Sequence, residues 1–183
     1  MKKRILLFFV FLGAFTAALS IGAQMQVPEE EAKIFLDEFN KLLDSLKGEN
    51  FGLEIFMHNT EIALAMFIPG FGIVWGLFSA LSTGYAFAAL NTTKPILVNF
   101  PPAALIFATP FGLMELAAYS LAMSRSLIFI ISIIKRTPLK KQWKPIVIEI
   151  SLVVALLLAG GIIEAYMIDS FNSGQMPKIG TKN

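Results

Sequence analysis

Long apolar stretches alternate with short polar ones along the chain, and their lengths are typical of a membrane protein. The first apolar stretch covers residues 5–23 and follows a basic start at residues 1–4. Others cover residues 51–90, 103–134 and 145–168. Since a helix needs about 20 apolar residues to cross a bilayer, this pattern predicts an all-α polytopic transmembrane helical bundle.

The N-terminal segment, residues 1–24, is either a transmembrane anchor or a signal segment. Ser20 and Gly22 are small residues that would suit a cleavage site. The apolar run 5–23 is longer than the ~7–15 residues of a signal-peptide core, which favours retention as an anchor. In both cases the basic start places the N-terminus in the cytoplasm.

Residues 25–50 predict an amphipathic helix outside the membrane. Pro28 and the three glutamates after it suit a helix start, and Lys47–Gly48 suits its end. Between Gln24 and Leu53 there are seven carboxylates and three lysines, which fits an extracytoplasmic position. The apolar face of this helix, 28–47, consists of Phe35, Phe39, Leu42, Leu43 and Leu46.

Two breaks interrupt the later apolar stretches. Pro69, Gly70 and Gly72 divide residues 51–90 into segments of about 52–68 and 71–90. Pro110 and Gly112 break residues 103–134 in the same way, and the two breaks share a Pro, Phe-Gly and Leu pattern. Matching broken helices in two parts of a membrane protein indicate a binding site.

The segment KRTPLKKQWK, residues 135–144, decides the topology. It has five basic residues and no acidic one, so it belongs in the cytoplasm. If the break at 69–72 is the tip of a hairpin, about five spans result. The N-terminus and the basic loop then lie inside, and the amphipathic helix and the C-terminus lie outside. The transmembrane bundle covers residues 51–169 of a cytoplasmic-membrane protein, and 170–183 form a polar tail.

Composition narrows the function classes. The chain is 56% hydrophobic and 15% charged, far from the balance of a soluble domain. It has no cysteine, which excludes disulfides and thiolate metal sites. His58 is the single histidine, which leaves little for a zinc site or a Ser-His-Asp triad. We therefore expect no enzyme, no metal, no cofactor and no nucleic-acid partner.

Polar residues inside the first arm of the hairpin are the first site candidates. Glu54, His58 and Glu61 share one helical stripe, and Asn59 is next to it. Such a stripe can line a cavity or bind a cation or proton. Alternatively, the arm begins at the membrane interface and Glu54 and His58 are simply hydrated.

Glu115 is the strongest single candidate. It follows Gly112 by three residues and is expected in the first turn of a restarted helix, where it either caps the helix or binds a substrate or proton. Arg125 lies in mid-span, so we expect it to pair with Glu61 or Glu164. Glu149 and Asp169 lie near the ends of the last span and need no special explanation.

The chain from about His58 to Ile168 resembles the stage II sporulation protein M family of integral membrane proteins. The resemblance rests on HNTEIAL with its asparagine, on the PGFG break, on PFGLMEL (residues 110–116) and on GGIIEAYM with Glu164. The family signature has a histidine where this chain has Phe111, so no role of that histidine transfers. Gly112 and Glu115 match the signature, which favours a turn-and-cap role.

The resemblance implies a membrane complex that positions protein partners. We expect a non-enzymatic scaffold or accessory subunit that contacts the lipid bilayer and binds other membrane or extracytoplasmic proteins through helix 28–47 or loop 135–144. Homo-oligomers are also compatible with this role. The alternative is a small channel or transporter whose pathway is lined by the broken helices with Glu61, Glu115 and Arg125.

Overall fold

The structure, a computed structural model, describes residues 2–46, 51–93 and 102–172. Within these ranges all regular structure is helical, which confirms the all-α prediction. Most of the predicted tail 170–183 lies outside the described residues. The elements are α1 Lys2–Ala23, α2 Glu29–Leu46, α3 Phe51–Ala65, α4 Phe71–Thr93, α5 Pro102–Ala108, α6 Pro110–Ile134, a 3₁₀ turn Leu139–Gln142 and α7 Trp143–Asn172.

Four of these helices are long and apolar enough to cross a membrane: α1, α4, α6 and α7. Helix α3 has 15 residues. At 1.5 Å per residue it rises only ~22 Å, less than the ~30 Å of the hydrocarbon core. The polytopic bundle is therefore confirmed, with four spans by this criterion where the sequence indicated about five.

The tip between α3 and α4 is bound to α6. Gly70 has a φ of +79°, a left-handed conformation that glycine adopts at low cost. The Ser126 hydroxyl accepts from Gly70 N at 3.0 Å and donates to the Ile68 carbonyl at 2.6 Å. Ser126 is ~24 Å along α6 from Pro110, and α6 continues beyond it to Ile134. The predicted break at 69–72 is therefore real, although Gly72 already belongs to α4.

Small residues on one face of α4 let its neighbours approach closely. The buried positions recur at every fourth residue and are Gly72, Gly76, Ala80, Gly84 and Ala88. The backbone of α1 at Leu19 and Ala23 touches the space that a Cβ on Gly84 would occupy. A Cβ on Gly76 would lie 2.6 Å from the Met123 sulfur of α6. This spacing packs α4 against the backbone of α1 and against a side chain of α6.

Helix α1 contributes to the core of the bundle. Phe11, Phe15 and Leu19 are buried at one-turn intervals, and the Phe15 ring lies 5.6 Å from the Tyr119 ring of α6. Cleavage after residue 23 would remove these contacts. Retention of α1 as an anchor stays a prediction, and this packing is the physical reason for it.

Helix α2 packs on the C-terminal part of α4. Val27 and Ala32 are buried against Ala88 and Ala89, and the Tyr85 hydroxyl hydrogen-bonds to Glu31 at 3.2 Å. Helix α2 thus corresponds closely to the helix predicted over 28–47. Its first apolar position, Phe35, packs on the same cluster. The side chains of the remaining apolar positions lie outside the described residues and are Phe39, Leu42, Leu43 and Leu46.

The bundle has two chemically different ends. We call the end that holds the start of α1 and residues 135–143 the basic end, and the end that holds α2 the acidic end. Arg4 of α1 bonds to α6 and α7 close to that loop, so the two basic segments lie together as the hairpin topology requires. Which end faces the cytoplasm stays a prediction.

Adding a methyl group to Gly84 tests the close approach of α1 and α4. Gly84→Ala would place its Cβ against the α1 backbone, so we expect a loss of ~1–3 kcal/mol in unfolding free energy. Gly13→Ala is the matched control, because no atom lies within 4 Å of a Cβ there. Thermal unfolding in lipid nanodiscs measures both variants. Equal melting temperatures for the two variants would contradict this packing.

Candidate functional site

Arg4, Arg125 and Glu149 form a charged group between α1, α6 and α7, which we call the arginine cluster. Arg125 donates to both carboxylate oxygens of Glu149 through Nε and Nη2. Arg4 binds the same carboxylate, with Nε 2.8 Å from Oε1 and Nη2 2.7 Å from Oε2. The Arg125 side chain is only 4% exposed. One carboxylate therefore accepts from two guanidinium groups on two other helices.

Polar neighbours accept further N–H groups of the arginine cluster. Arg4 donates through Nη1 to the Ser124 hydroxyl at 2.6 Å and through Nη2 to the Leu121 carbonyl at 3.1 Å. Arg125 donates through Nη1 to the Gln142 side-chain oxygen at 3.1 Å. Buried charges are tolerated when they are paired and hydrogen-bonded, and the shared carboxylate of this cluster connects three helices.

The expected partners of Arg125 were wrong. Neither Glu61 nor Glu164 pairs with Arg125. Its partner is Glu149, for which the sequence predicted no special role. Helices α6 and α7 are antiparallel and joined by a short loop, so residues at similar distances from that loop meet. Arg125 lies nine residues before the end of α6, and Glu149 lies six residues after the start of α7. This loop-symmetry argument could have identified Glu149 from the sequence.

A second polar group lies nearer the acidic end, and we call it the carboxylate cluster. Asn59 of α3 donates through Nδ2 to Glu115 Oε1 of α6 at 2.7 Å. Glu164 of α7 is near enough to interact electrostatically with Glu115 and with the buried Tyr119. Asn59, Glu115 and Glu164 come from three separate sequence motifs. The fold therefore brings together three of the predicted site residues.

Glu115 does not cap its helix. The N-cap of α6 is Thr109, whose hydroxyl accepts from Gly112 N at 3.3 Å, and Pro110 is the first helical residue. Proline is well tolerated at this position, so the helix begins before Gly112 and Glu115 falls in the second turn. The break predicted at 110–112 therefore lies at Thr109. Gly112 is buried, and a Cβ at this position would lie only 2.6 Å from Ile106 O.

The other predicted site residues of α3 point away from both clusters. His58 and Glu61 are exposed, and Glu61 lies on the face of α3 opposite Asn59. Neither makes a hydrogen bond or an ion pair with another described residue. Glu54 is half-buried, and its Oε2 has no hydrogen-bond partner. Of the predicted stripe, His58 and Glu61 lie on the outer surface of the bundle, whereas Glu54 is half-buried.

The described cavities do not reach the carboxylates. A groove of about 330 Å³ opens between the α1–α2 connection and the end of α4, lined by Ala23, Val27, Ala88 and Asn91 among others. A second cavity of about 10 Å³ lies between Phe15, Leu19 and Leu116. Neither is lined by Glu61, Glu115 or Glu164. Within the described ranges no group of three or more His, Asp and Glu side chains is arranged to hold a metal.

The contacts of both polar clusters therefore connect helices to one another. The arginine cluster joins α1, α6 and α7, and the carboxylate cluster joins α3 to α6 beside α7. In the second cluster a neutral amide donates to one of two neighbouring carboxyl groups, an arrangement that can also hold a proton. Polar contacts of this kind stabilise helix pairs in lipid.

Replacing Glu149 tests the arginine cluster. Glu149→Leu would leave the buried Arg125 and the half-buried Arg4 without a counter-charge, so we expect a loss of ~3–5 kcal/mol in unfolding free energy. Asp169→Leu is the control, because it removes an exposed carboxylate from the same helix. Tryptophan fluorescence during thermal unfolding in nanodiscs reports the difference. An unchanged melting temperature for Glu149→Leu would show that the cluster does not hold the helices.

One comparison with known proteins gives a family match over most of the chain. The profile of the family described as Stage II sporulation protein M matches residues 5–167 of the chain. This match covers α1 and all three motifs that supply Asn59, Glu115 and Glu164. Searches of curated proteins and of solved structures gave no significant match. With most of its length matched by the profile and four helices able to cross a membrane, the chain belongs to the Stage II sporulation protein M family of membrane proteins.

Proposed function

We propose that this protein is a non-enzymatic scaffold or accessory subunit of a complex in the cytoplasmic membrane. The observation that carries the proposal is the placement of α2, which is fixed on α4 and presents a charged face. Its exposed acidic residues are Glu29, Glu30, Glu31, Asp37 and Glu38. A helix that is anchored on one face and charged on the other is suited to bind a basic surface of another protein.

The charges on α2 also stabilise the helix itself. Three glutamates occupy its first turn, where they interact favourably with the helix dipole. The Lys33 ammonium lies 2.7 Å from Glu29 and lowers the pKa of that carboxyl. Glu30, Asp37 and Glu38 make no such pair among the described residues. These three carboxylates are therefore available to a partner.

The interior of the bundle supports the same role. The buried charges of the arginine cluster are bound to each other, and the two described cavities avoid the carboxylates. A bundle whose buried arginine is used for internal contacts is suited to support other proteins. In the proposed orientation the basic end lies in the cytoplasm, where exposed Lys135, Arg136 and Lys140 offer a second docking surface. Helix α2 and the C-terminus lie outside.

The second candidate function is a small channel or transporter. Two buried polar atoms of α3, Glu54 Oε2 and Thr60 Oγ1, have no hydrogen-bond partner. With Glu115 and Glu164 nearby, they could contact an ion that moves along α3. This function requires an opening that joins these groups, and neither described cavity provides one.

Charge reversal on α2 tests the scaffold role. We expect the triple variant Glu30→Lys, Asp37→Lys, Glu38→Lys to lose at least tenfold of the proteins that co-purify with the wild type in mild detergent, because the partner surface is basic. Quantitative mass spectrometry of the purified complexes measures this loss. The docking residues Val27, Ala32 and Phe35 stay unchanged, so α2 keeps its place on α4.

Asp169→Lys is the matched control, because it reverses an exposed carboxylate near the acidic end outside α2. It should co-purify the same proteins as the wild type. A triple variant with an unaltered set of co-purifying proteins would refute docking through α2. Ion flux through the wild-type protein in liposomes that Glu115→Gln abolishes would favour the channel function over the scaffold function.

A further inference from the structure

The outer face of α3 has a composition that does not suit lipid contact. Its exposed apolar residues include Leu53, Met57 and Leu64, with exposed fractions of 50%, 53% and 43%. Glu61 lies within this row, and His58 lies at its side. We call these five residues the α3 stripe. Two ionisable side chains thus interrupt an otherwise apolar surface that points away from the bundle.

The α3 stripe lies at the depth of the middle of α7. Gly52 packs against Gly161 and Ala165, and Phe56 packs against Gly161, so α3 and α7 are antiparallel. Glu61 is five residues beyond Phe56, which moves it ~7.5 Å further from the acidic end. That step brings it toward Leu157 and Leu158, the central residues of α7. A carboxylate at this depth is unfavourable in hydrocarbon.

The bundle itself does not compensate these two groups. His58 and Glu61 are three residues apart on one helix, yet they do not hydrogen-bond to each other or to any other described side chain. The helices that pack on α3 are α7, α4 and α6, and they cover its opposite face. No described side chain supplies the compensating groups, and a second molecule can supply them. They need to provide an acceptor for an imidazole N–H and a donor for a carboxylate at the same depth.

We infer that the α3 stripe is a homodimer interface, in which His58 and Glu61 of one copy pair with Glu61 and His58 of a second copy. A two-fold axis along the membrane normal places two α3 helices side by side and parallel, which makes the contact self-complementary. Each imidazole N–H then donates a hydrogen bond to the facing carboxylate, so each group finds its partner in the other copy. Met57 and Leu64 fill the contact above and below. A second copy supplies this chemistry at the required depth without any additional charge.

Cysteine cross-linking tests the interface, because the chain has no cysteine of its own. Met57→Cys or Leu64→Cys should form a disulfide-linked product of twice the chain mass when membranes that contain the full-length protein are oxidised. Leu158→Cys is the matched control, since Leu158 is 41% exposed on α7 at a similar depth. We expect its yield to be at least fivefold lower. Equal yields at the two surfaces would overturn the interface.

A charge swap separates pairing from simple proximity. In the Met57→Cys background, His58→Glu places a second carboxylate opposite Glu61 of the other copy. We expect roughly tenfold weaker dimerisation, because two interhelical contacts are lost. The double swap His58→Glu, Glu61→His restores both pairs and should restore the cross-link. If the double swap is monodisperse and folded but does not recover the dimer yield, the pairing is contradicted. A cross-link from Met57→Cys to a different membrane protein, without a self-product, would contradict it as well.

Discussion

A single carboxylate on α7 determines how three helices of this protein meet. Glu149 accepts hydrogen bonds from Arg125 of α6 and from Arg4 of α1, and Ser124 and Gln142 each accept one further guanidinium N–H. In hydrocarbon an unpaired arginine is costly, so the three groups favour one arrangement of their helices over others. The start of α1 and the basic loop are brought to one end by this contact. Helix α2 is thereby left at the other end.

The remaining parts follow from this frame. With α1 fixed, the small residues of α4 allow it to pack along α1, and its C-terminal part supports α2. The tip of the α3–α4 hairpin packs on α6 at Ser126, next to Arg125. The Ser126 hydroxyl hydrogen-bonds to the backbone of the tip. Helix α3 is therefore too short to cross, and its polar residues are divided between two faces. Asn59 joins the carboxylate cluster, whereas His58 and Glu61 face outward.

Hydropathy and breakers predicted the helices well, because they depend on local chemistry. The amphipathic helix, the hairpin break near Gly70 and the long last span all appear close to their expected positions. Partnerships were harder to predict, because they depend on the register between helices. Arg125 was assigned to the wrong carboxylates for this reason. Thr109 followed by Pro110 is a helix-start signal that would have shown that Glu115 is not a cap.

The most direct measurement of the central contact is a double-mutant cycle between Arg125 and Glu149 in lipid nanodiscs. Unfolding free energies of the wild type, Arg125→Leu, Glu149→Leu and the double variant give the coupling between the two side chains. A bound pair predicts a coupling of about 2–3 kcal/mol, with the double variant far more stable than the sum of the single losses implies. Additive losses would show that Glu149 does not hold Arg125, and would contradict the claim that this contact fixes the arrangement of α1, α6 and α7.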